Sequence, residues 1–205
     1  ARGEPDAIAL RYSAKAALVV GDRGYLRVQR LWRDRLARAI DCRLVQLEGD
    51  VVVPIETASG KHEFAARTIR PKIHRLWDEF MQPLAVRPVR RRFPADPPSE
   101  IDLGDPLAAV RQLAVDQSVG PVKRFNGGEN EARRRLAAYL AGPFGSYGAH
   151  RGRPEAGAAS HMSPYLHFGQ ISPVEITLAV RAARSGGADD RSAYLEELIV
   201  RRELA

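Results

Sequence analysis

Ser160-His-Met-Ser-Pro-Tyr-Leu-His-Phe-Gly-Gln-Ile-Ser-Pro173 is the stretch on which the reading of this chain turns. It has the order of a polar turn, a short apolar element, a glycine and a helix start. Ser172 predicts an N-cap, Pro173 suits the first helical position, and Glu175 predicts a capping box with Ser172. Just upstream, Gly157-Ala-Ala-Ser160 supplies small residues, and Ser160 and Ser163 supply hydroxyls. Backbone N–H groups and hydroxyls at such a turn can hold a phosphate, because donors at a helix N-terminus lack an intrahelical partner. The same punctuation also serves ordinary helix capping, so the residues alone leave both readings open.

Around this block the pattern is helical. Asp105 and Pro106 predict a helix to about Val115. Glu129 to Leu140 predicts another, with Ala132, Leu136, Ala137 and Leu140 on its apolar side, and Pro173 to Ala183 a third. After Gly186-Gly187, Asp189 or Asp190 predicts the cap of a fourth, running from about Arg191 to Ala205. The N-terminal part differs. A helix end over Ala7 to Ser13 precedes the apolar run Ala16-Ala-Leu-Val-Val20 and the turn Gly21-Asp-Arg-Gly24. An amphipathic helix over Leu26 to Ile40 follows, then strands at Cys42 to Leu47 and Val51 to Val53. Strand, helix and strand in this order imply a parallel α/β unit.

Such sheets ordinarily have about five strands. Only two or three are legible here, so the chain reads as cut at its N-terminus, and the last predicted helix runs to Ala205 without a cap. Thr57 to Lys72 reads as a polar connection, Ile73 to Met81 as a short helix, and Arg87 to Leu103 as a Pro/Arg-rich linker. The predicted layout is an α/β piece with a truncated parallel sheet over residues 1–60, a linker over 61–105, and an all-α piece over 106–205.

The balance of 32 Lys and Arg against 25 Asp and Glu gives a net charge of +7, and only Lys15, Lys61, Lys72 and Lys123 are lysines. Arginine binds phosphate in a bidentate, directional way. The excess suits a polyanion such as DNA and equally a solvated, arginine-rich surface. The single cysteine, Cys42, excludes an internal disulfide framework and fits a reducing, cytoplasmic compartment. The five histidines are scattered without metal-ligand spacing, and no apolar run is long enough to span a bilayer, so neither a metal nor a membrane is expected.

Four blocks together resemble a middle portion of the class II DNA photolyases, the photolyase/cryptochrome branch that repairs cyclobutane pyrimidine dimers. Val19-Val-Gly-Asp-Arg-Gly-Tyr25 resembles a late strand and turn of the family's antenna domain. Val51 to Ser59, with Phe64 to Ile73, resembles the exit into the linker. Ser160 to Pro173 resembles the flavin-pyrophosphate segment, and Glu196 to Ala205 the start of the flavin-and-DNA helix. The resemblance implies a fragment lacking both ends, with an antenna-type α/β piece and a helical FAD-binding piece. It implies light-driven electron transfer from reduced FAD to a dimer flipped out of DNA, and a possible second chromophore of deazaflavin or folate type.

It also implies roles for named residues. Tyr147 matches a flavin-contacting tyrosine. Ala159-Ser-His-Met-Ser163 matches the phosphate segment Thr-Ser-x-Leu-Ser; Ser160, His161, Met162 and Ser163 occupy it, while Ala159 lacks the threonine hydroxyl. Arg151 matches a basic residue near DNA. Glu197 matches the glutamate that hydrogen-bonds the flipped pyrimidine and donates a hydrogen bond or proton, so it is the catalytic candidate and a DNA contact. Tyr194 and Arg201 match groups beside the flavin. Tyr194, Glu197 and Arg201 fall at i, i+3 and i+7, one face of a regular helix. A Glu197–Arg201 pair is also common on exposed helices, where it is worth about 0.3–0.5 kcal/mol. His167, Phe168 and Gln170 read as packing and capping groups, and Arg67, Arg70 and Lys72 as residues packing the linker rather than touching DNA.

Trp32 and Trp77 come too early to match the family's electron-relay tryptophans. Two other readings compete with repair. One is a cryptochrome-type photoreceptor, which has no need of a dimer-binding acid such as Glu197. The other is a non-catalytic basic DNA- or nucleotide-binding module.

Overall fold

Short apolar runs between turns make the only sheet among the described residues. The computed structural model describes residues 3–85, 87–90, 101, 102 and 104–202. They form two compact units, one of residues 1–47 with 86–124 and one of 48–85 with 125–205.

In the first unit, α1 (Pro5–Ser13) precedes β1 (Leu18–Asp22), α2 (Arg27–Ala39) and β2 (Arg43–Leu47). The strands pair in parallel, from Leu18 opposite Arg43 to Asp22 opposite Leu47. A parallel pair needs a crossover, and α2 supplies it, as the strand–helix–strand pattern predicts. Helices α1 and α2 are joined by the Trp32 indole donating to Glu4 at 2.9 Å and by an Arg35–Asp6 pair at 3.8 Å. α5 (Pro106–Arg111) also lies in this unit, with the Asp105 carboxylate accepting from the Ala108 N–H at 3.0 Å. The cap and proline fall where expected, but the helix ends at Arg111 rather than near Val115. Much of the expected linker, 91–100 and 103, lies outside the described residues, as do Glu203 to Ala205 of the last helical block.

The expected third strand does not form. Val51 to Val53 is a bend, with Val52 and Val53 buried in the core of the second unit. Pro54 follows directly; it has no N–H for a ladder and instead opens the short helix α3 (Ile55–Ala58). Next, α4 (Ala66–Phe80) begins seven residues earlier than the predicted helix at Ile73 and absorbs part of the supposed polar connection. Ile69 and Ile73, four residues apart, are buried together and supply the apolar face that outweighs Pro71 inside the helix.

The rest of the second unit is helical, consistent with the predicted fold class. It comprises α6 (Glu129–Ala141), a 3₁₀ turn at Pro143–Ser146, α7 (Tyr147–His150), α8 (Ser163–His167), α9 (Pro173–Ala182) and α10 (Ala188–Leu195). The chain then widens into a π-helical turn, Glu196–Arg201. Phe144, Met162, Tyr165, Ile176 and Ile199 are among its fully covered side chains. On α6 the covered face is Ala132, Leu136 and Tyr139, whereas Ala137 is exposed. α9 starts as read: the Ser172 hydroxyl accepts from the Val174 N–H at 3.2 Å and Pro173 is at the first position. Glu175 instead receives Arg133, at 2.6 and 3.2 Å. α10 is capped at Gly187 rather than at an aspartate; Asp190 sits at the third helical position and accepts from the Gly187 N–H at 2.8 Å.

Candidate functional site

The turn before α8 is built around one buried aromatic group. Ala158 is buried and its carbonyl accepts from the Tyr139 hydroxyl at 3.1 Å. Two residues on, the Ser160 hydroxyl accepts from the Tyr194 hydroxyl at 2.9 Å. His161 then takes φ 55°, the left-handed region that few non-glycine residues enter. Met162 returns to a right-handed conformation, with its side chain buried in the core, and Ser163 opens α8 at the surface. A left-handed residue followed by a right-handed one draws successive N–H groups towards one point, a concavity suited to an anion.

Tyr194 lies among Tyr139, Phe144 and Tyr147, with ring centroids 5.8, 5.9 and 5.1 Å away. Burial pushes the Tyr194 phenol up to about 12 and raises Tyr139 further. Tyr147 is raised by burial and then by the Glu197 charge, against a lowering from Arg151. All three therefore stay neutral near pH 7 and remain hydrogen-bond donors. Asp190 sets this arrangement by accepting from the Gly148 N–H at 2.7 Å as well as from Gly187, which ties α7 to the start of α10. These two backbone donors hold its carboxyl below the ordinary value. Gly186, at φ 77°, permits the approach: a Cβ there would lie 2.8 Å from the Phe144 ring.

One turn beyond Tyr194 the chemistry becomes ionic. Arg151 donates to Glu197 at 2.6 Å, and Arg201 lies 3.8 Å from the other carboxylate oxygen. All three are partly exposed, with side-chain exposures of 44%, 37% and 62%. Glu196 points elsewhere, to Arg70 at 2.5 Å and His74 at 3.0 Å, and His74 stacks on Trp77 at 4.3 Å. Burial raises the Glu196 carboxyl, but Arg70 and His74 outweigh it and leave the group below its ordinary value. Arg202 donates to the Asp50 carbonyl at 2.6 Å.

The model of the DNA photolyase family matches residues 1–90. The deoxyribodipyrimidine photo-lyase of Methanothermobacter thermautotrophicus is 40% identical over all 205 residues, which cover 44% of that protein. The enzyme of the same name from Potorous tridactylus is 34% identical over 176 residues, 84% of this chain and 32% of that protein. Over these spans the chain is similar to the photolyase/cryptochrome family. It spans less than half the length of these relatives.

Solved photolyases and cryptochromes share the fold. A class III photolyase from Agrobacterium tumefaciens superposes with a TM-score of 0.59 at 18% identity, over 98% of this chain and 44% of its own. A Synechocystis cryptochrome gives 0.58 at 16% identity, over 96% and 43%.

The fold brings Tyr147, Tyr194 and Ser160 together, and Arg151, Glu197 and Arg201 into one charged group. Met162 stands apart, buried, while His161 and Ser163 lie at the surface of the turn. Tyr139, Phe144 and Asp190 were missed as positioning residues. The spacing Ala132, Leu136, Tyr139 carries a signal for the first, and Asp190 is legible locally only as a cap of α10; the long-range contacts of Phe144 and of Asp190 with Gly148 leave none in the local pattern. Arg70 and Lys72 hold acidic partners within their own unit, Glu196 and Glu63.

Proposed function

We propose that this chain is part of a class II deoxyribodipyrimidine photolyase, and that its helical unit carries the phosphate end of an FAD site beside a dimer-binding acid. The observation carrying this reading is that one helical run holds both chemistries: Tyr194 donates to Ser160 in the left-handed turn, and Glu197, three residues on, holds Arg151. The residues fit the cofactor. The Ser160 hydroxyl, the Ser163 hydroxyl and the N–H groups around His161 are donors of the kind a pyrophosphate takes. Ala159 withholds one hydroxyl, a loss of about 1.5–3 kcal/mol where the partner is charged. His161 and Met162 contribute through backbone, Tyr147 and Tyr194 form an aromatic wall, and Arg201 is a further cation for the flavin side.

When bound, reduced FAD supplies the electron that opens the cyclobutane ring. The chain's own residues bind and orient. Photolyases take the target base out of the stack, and Arg151, with a guanidinium suited to phosphate, meets the DNA backbone. Glu197 hydrogen-bonds the flipped pyrimidine. In this reading residues 1–60 are the antenna-type piece, with a deazaflavin or folate as second chromophore; 61–105 are the linker, and 106–205 the flavin- and DNA-binding part. The protein works in the cytoplasm, on damaged DNA.

The test uses the full-length protein reconstituted with FAD and an oligonucleotide carrying one thymine dimer. Repair should require both flavin and blue light. Glu197→Gln should keep flavin and lower the yield of dimer splitting, and Glu197→Ala should lower it further. Flavin binding and a light response with no repair would favour the photoreceptor reading, and DNA binding without flavin the non-catalytic module.

A further inference from the structure

The left-handed turn at His161 is held from outside by an aromatic strap. The chain enters the second unit at Phe125-Asn126-Gly127-Gly128, and this segment is fixed at several points. The Asn126 carbonyl accepts from the buried Tyr165 hydroxyl at 2.8 Å, and the Gly128 N–H donates to Gln170 Oε1 at 3.0 Å. The Phe125 ring meets His161 edge-on, with centroids 6.0 Å apart and planes at 64°, and meets Tyr165 at 6.5 Å and 71°. On α6, the Arg135 guanidinium lies 5.0 Å from the Phe125 centroid and is itself fixed by Glu131 at 2.7 Å. A relay of contacts therefore runs from Glu131 through Arg135 and Phe125 to His161.

We infer that Phe125 and Arg135 are positioning residues that hold His161 in its left-handed conformation and so preorganise the anion-binding turn of Ser160 to Ser163. The physical need is clear. A side chain other than glycine resists positive φ, and the His161 side chain is itself exposed while its neighbour Met162 is buried. Ring pairs at these separations, with a cation over the Phe125 ring, are favourable contacts that depend on where the His161 ring stands. If the ring is held, the backbone is held. The consequence for flavin affinity rests on the proposal that this turn takes the FAD pyrophosphate; the consequence for the turn itself does not.

The experiment is a mutant cycle in the full-length protein with two readouts. Apoprotein is titrated with FAD, and amide hydrogen exchange of the 160–163 peptide is followed without flavin. Phe125→Ala should weaken FAD binding about tenfold, about 1.4 kcal/mol, and speed exchange in the turn. His161→Gly should remove the dependence of the turn on Phe125, because glycine adopts positive φ without a tether. Its decisive property is that Phe125→Ala, added to His161→Gly, should change neither readout further. A Phe125→Ala effect of equal size in both backgrounds would show general packing and overturn the inference. Exchange in the turn that is indifferent to Phe125 would also overturn it. Coupling seen in exchange but absent from the FAD titration would uphold the positioning role and refute the flavin reading of the turn.

Discussion

Removing the Tyr194–Ser160 hydrogen bond from either side should have unequal effects, and the inequality follows from burial. Tyr194 is only 5% exposed, whereas Ser160 is half-buried. Tyr194→Phe deletes the donor, and the Ser160 hydroxyl can then turn to water, so the cost is that of an ordinary net hydrogen bond, about 0.5–1.5 kcal/mol. Ser160→Ala strands a covered phenol whose surroundings already disfavour charge, which costs about 1–3 kcal/mol. In the double variant both groups are gone, and the cost should return to near that of Tyr194→Phe. The cycle thus has a coupling energy about equal to the Ser160→Ala cost, about 1–3 kcal/mol. Urea unfolding of the full-length protein, read as midpoint shifts at constant slope, measures all four corners. Additive costs, or a neutral Ser160→Ala, would refute the reasoning and leave the two hydroxyls as neighbours without an energetic link.

Three further outcomes follow from groups that hold the second unit. The Glu63 carboxyl lies at about 2, chiefly through the Lys72 hydrogen bond and then those of Thr68 and Ser59. Its folded value is below the unfolded one, so its stabilisation is present above about pH 4.5 and fades as pH falls towards 2; melting temperature against pH should flatten over that window in Glu63→Gln. Asp190→Asn should free the Gly148 and Gly187 N–H groups from a charged acceptor, loosening α7 from α10, and hydrogen exchange at those two amides should rise while α9 is unchanged. Pro71 lies well past the first turn of α4, where its missing N–H breaks one helix hydrogen bond. Pro71→Ala should therefore stabilise by about 1–2 kcal/mol after the entropy proline removes from the unfolded chain is counted, measured as a rise in the urea midpoint.

Features of this chain set by local chemistry were legible, and those set by distant partners were not. Ser172 and Pro173 start α9 because a hydroxyl and a fixed φ act within one turn. The β1–α2–β2 unit was readable because periodicity changes from strand to helix and back. Val51 to Val53 reads as a strand because an apolar β-branched run looks the same in a strand and in a buried bend; the following proline is the clue. Glu175 was read as a box partner because Arg133, forty-two residues away, cannot be seen from the local spacing. The four-residue step from Ile69 to Ile73 was present in the sequence, yet the polar residues around it hid the start of α4.

The same distinction explains the end of the described chain. On a regular helix Tyr194, Glu197 and Arg201 share one side, and the spacing alone gives no reason to separate them. Two demands pull on this run. Tyr194 must enter the aromatic group and reach Ser160, and Glu196 is drawn to Arg70 and His74 on α4. A π-helical turn adds a residue to one turn, and such turns are rare and frequently found at functional sites. Beginning at Glu196, it lets the segment meet both demands: Tyr194 stays covered, Glu196 faces α4, and Glu197 remains open beside Arg151 and Arg201. The partly exposed carboxylate proposed to meet the base is thus placed by contacts its neighbours make. The contacts of Glu196 come from residues over a hundred positions earlier, and that of Tyr194 from thirty-four earlier, which is why the spacing could nominate Glu197 but not show how it is presented.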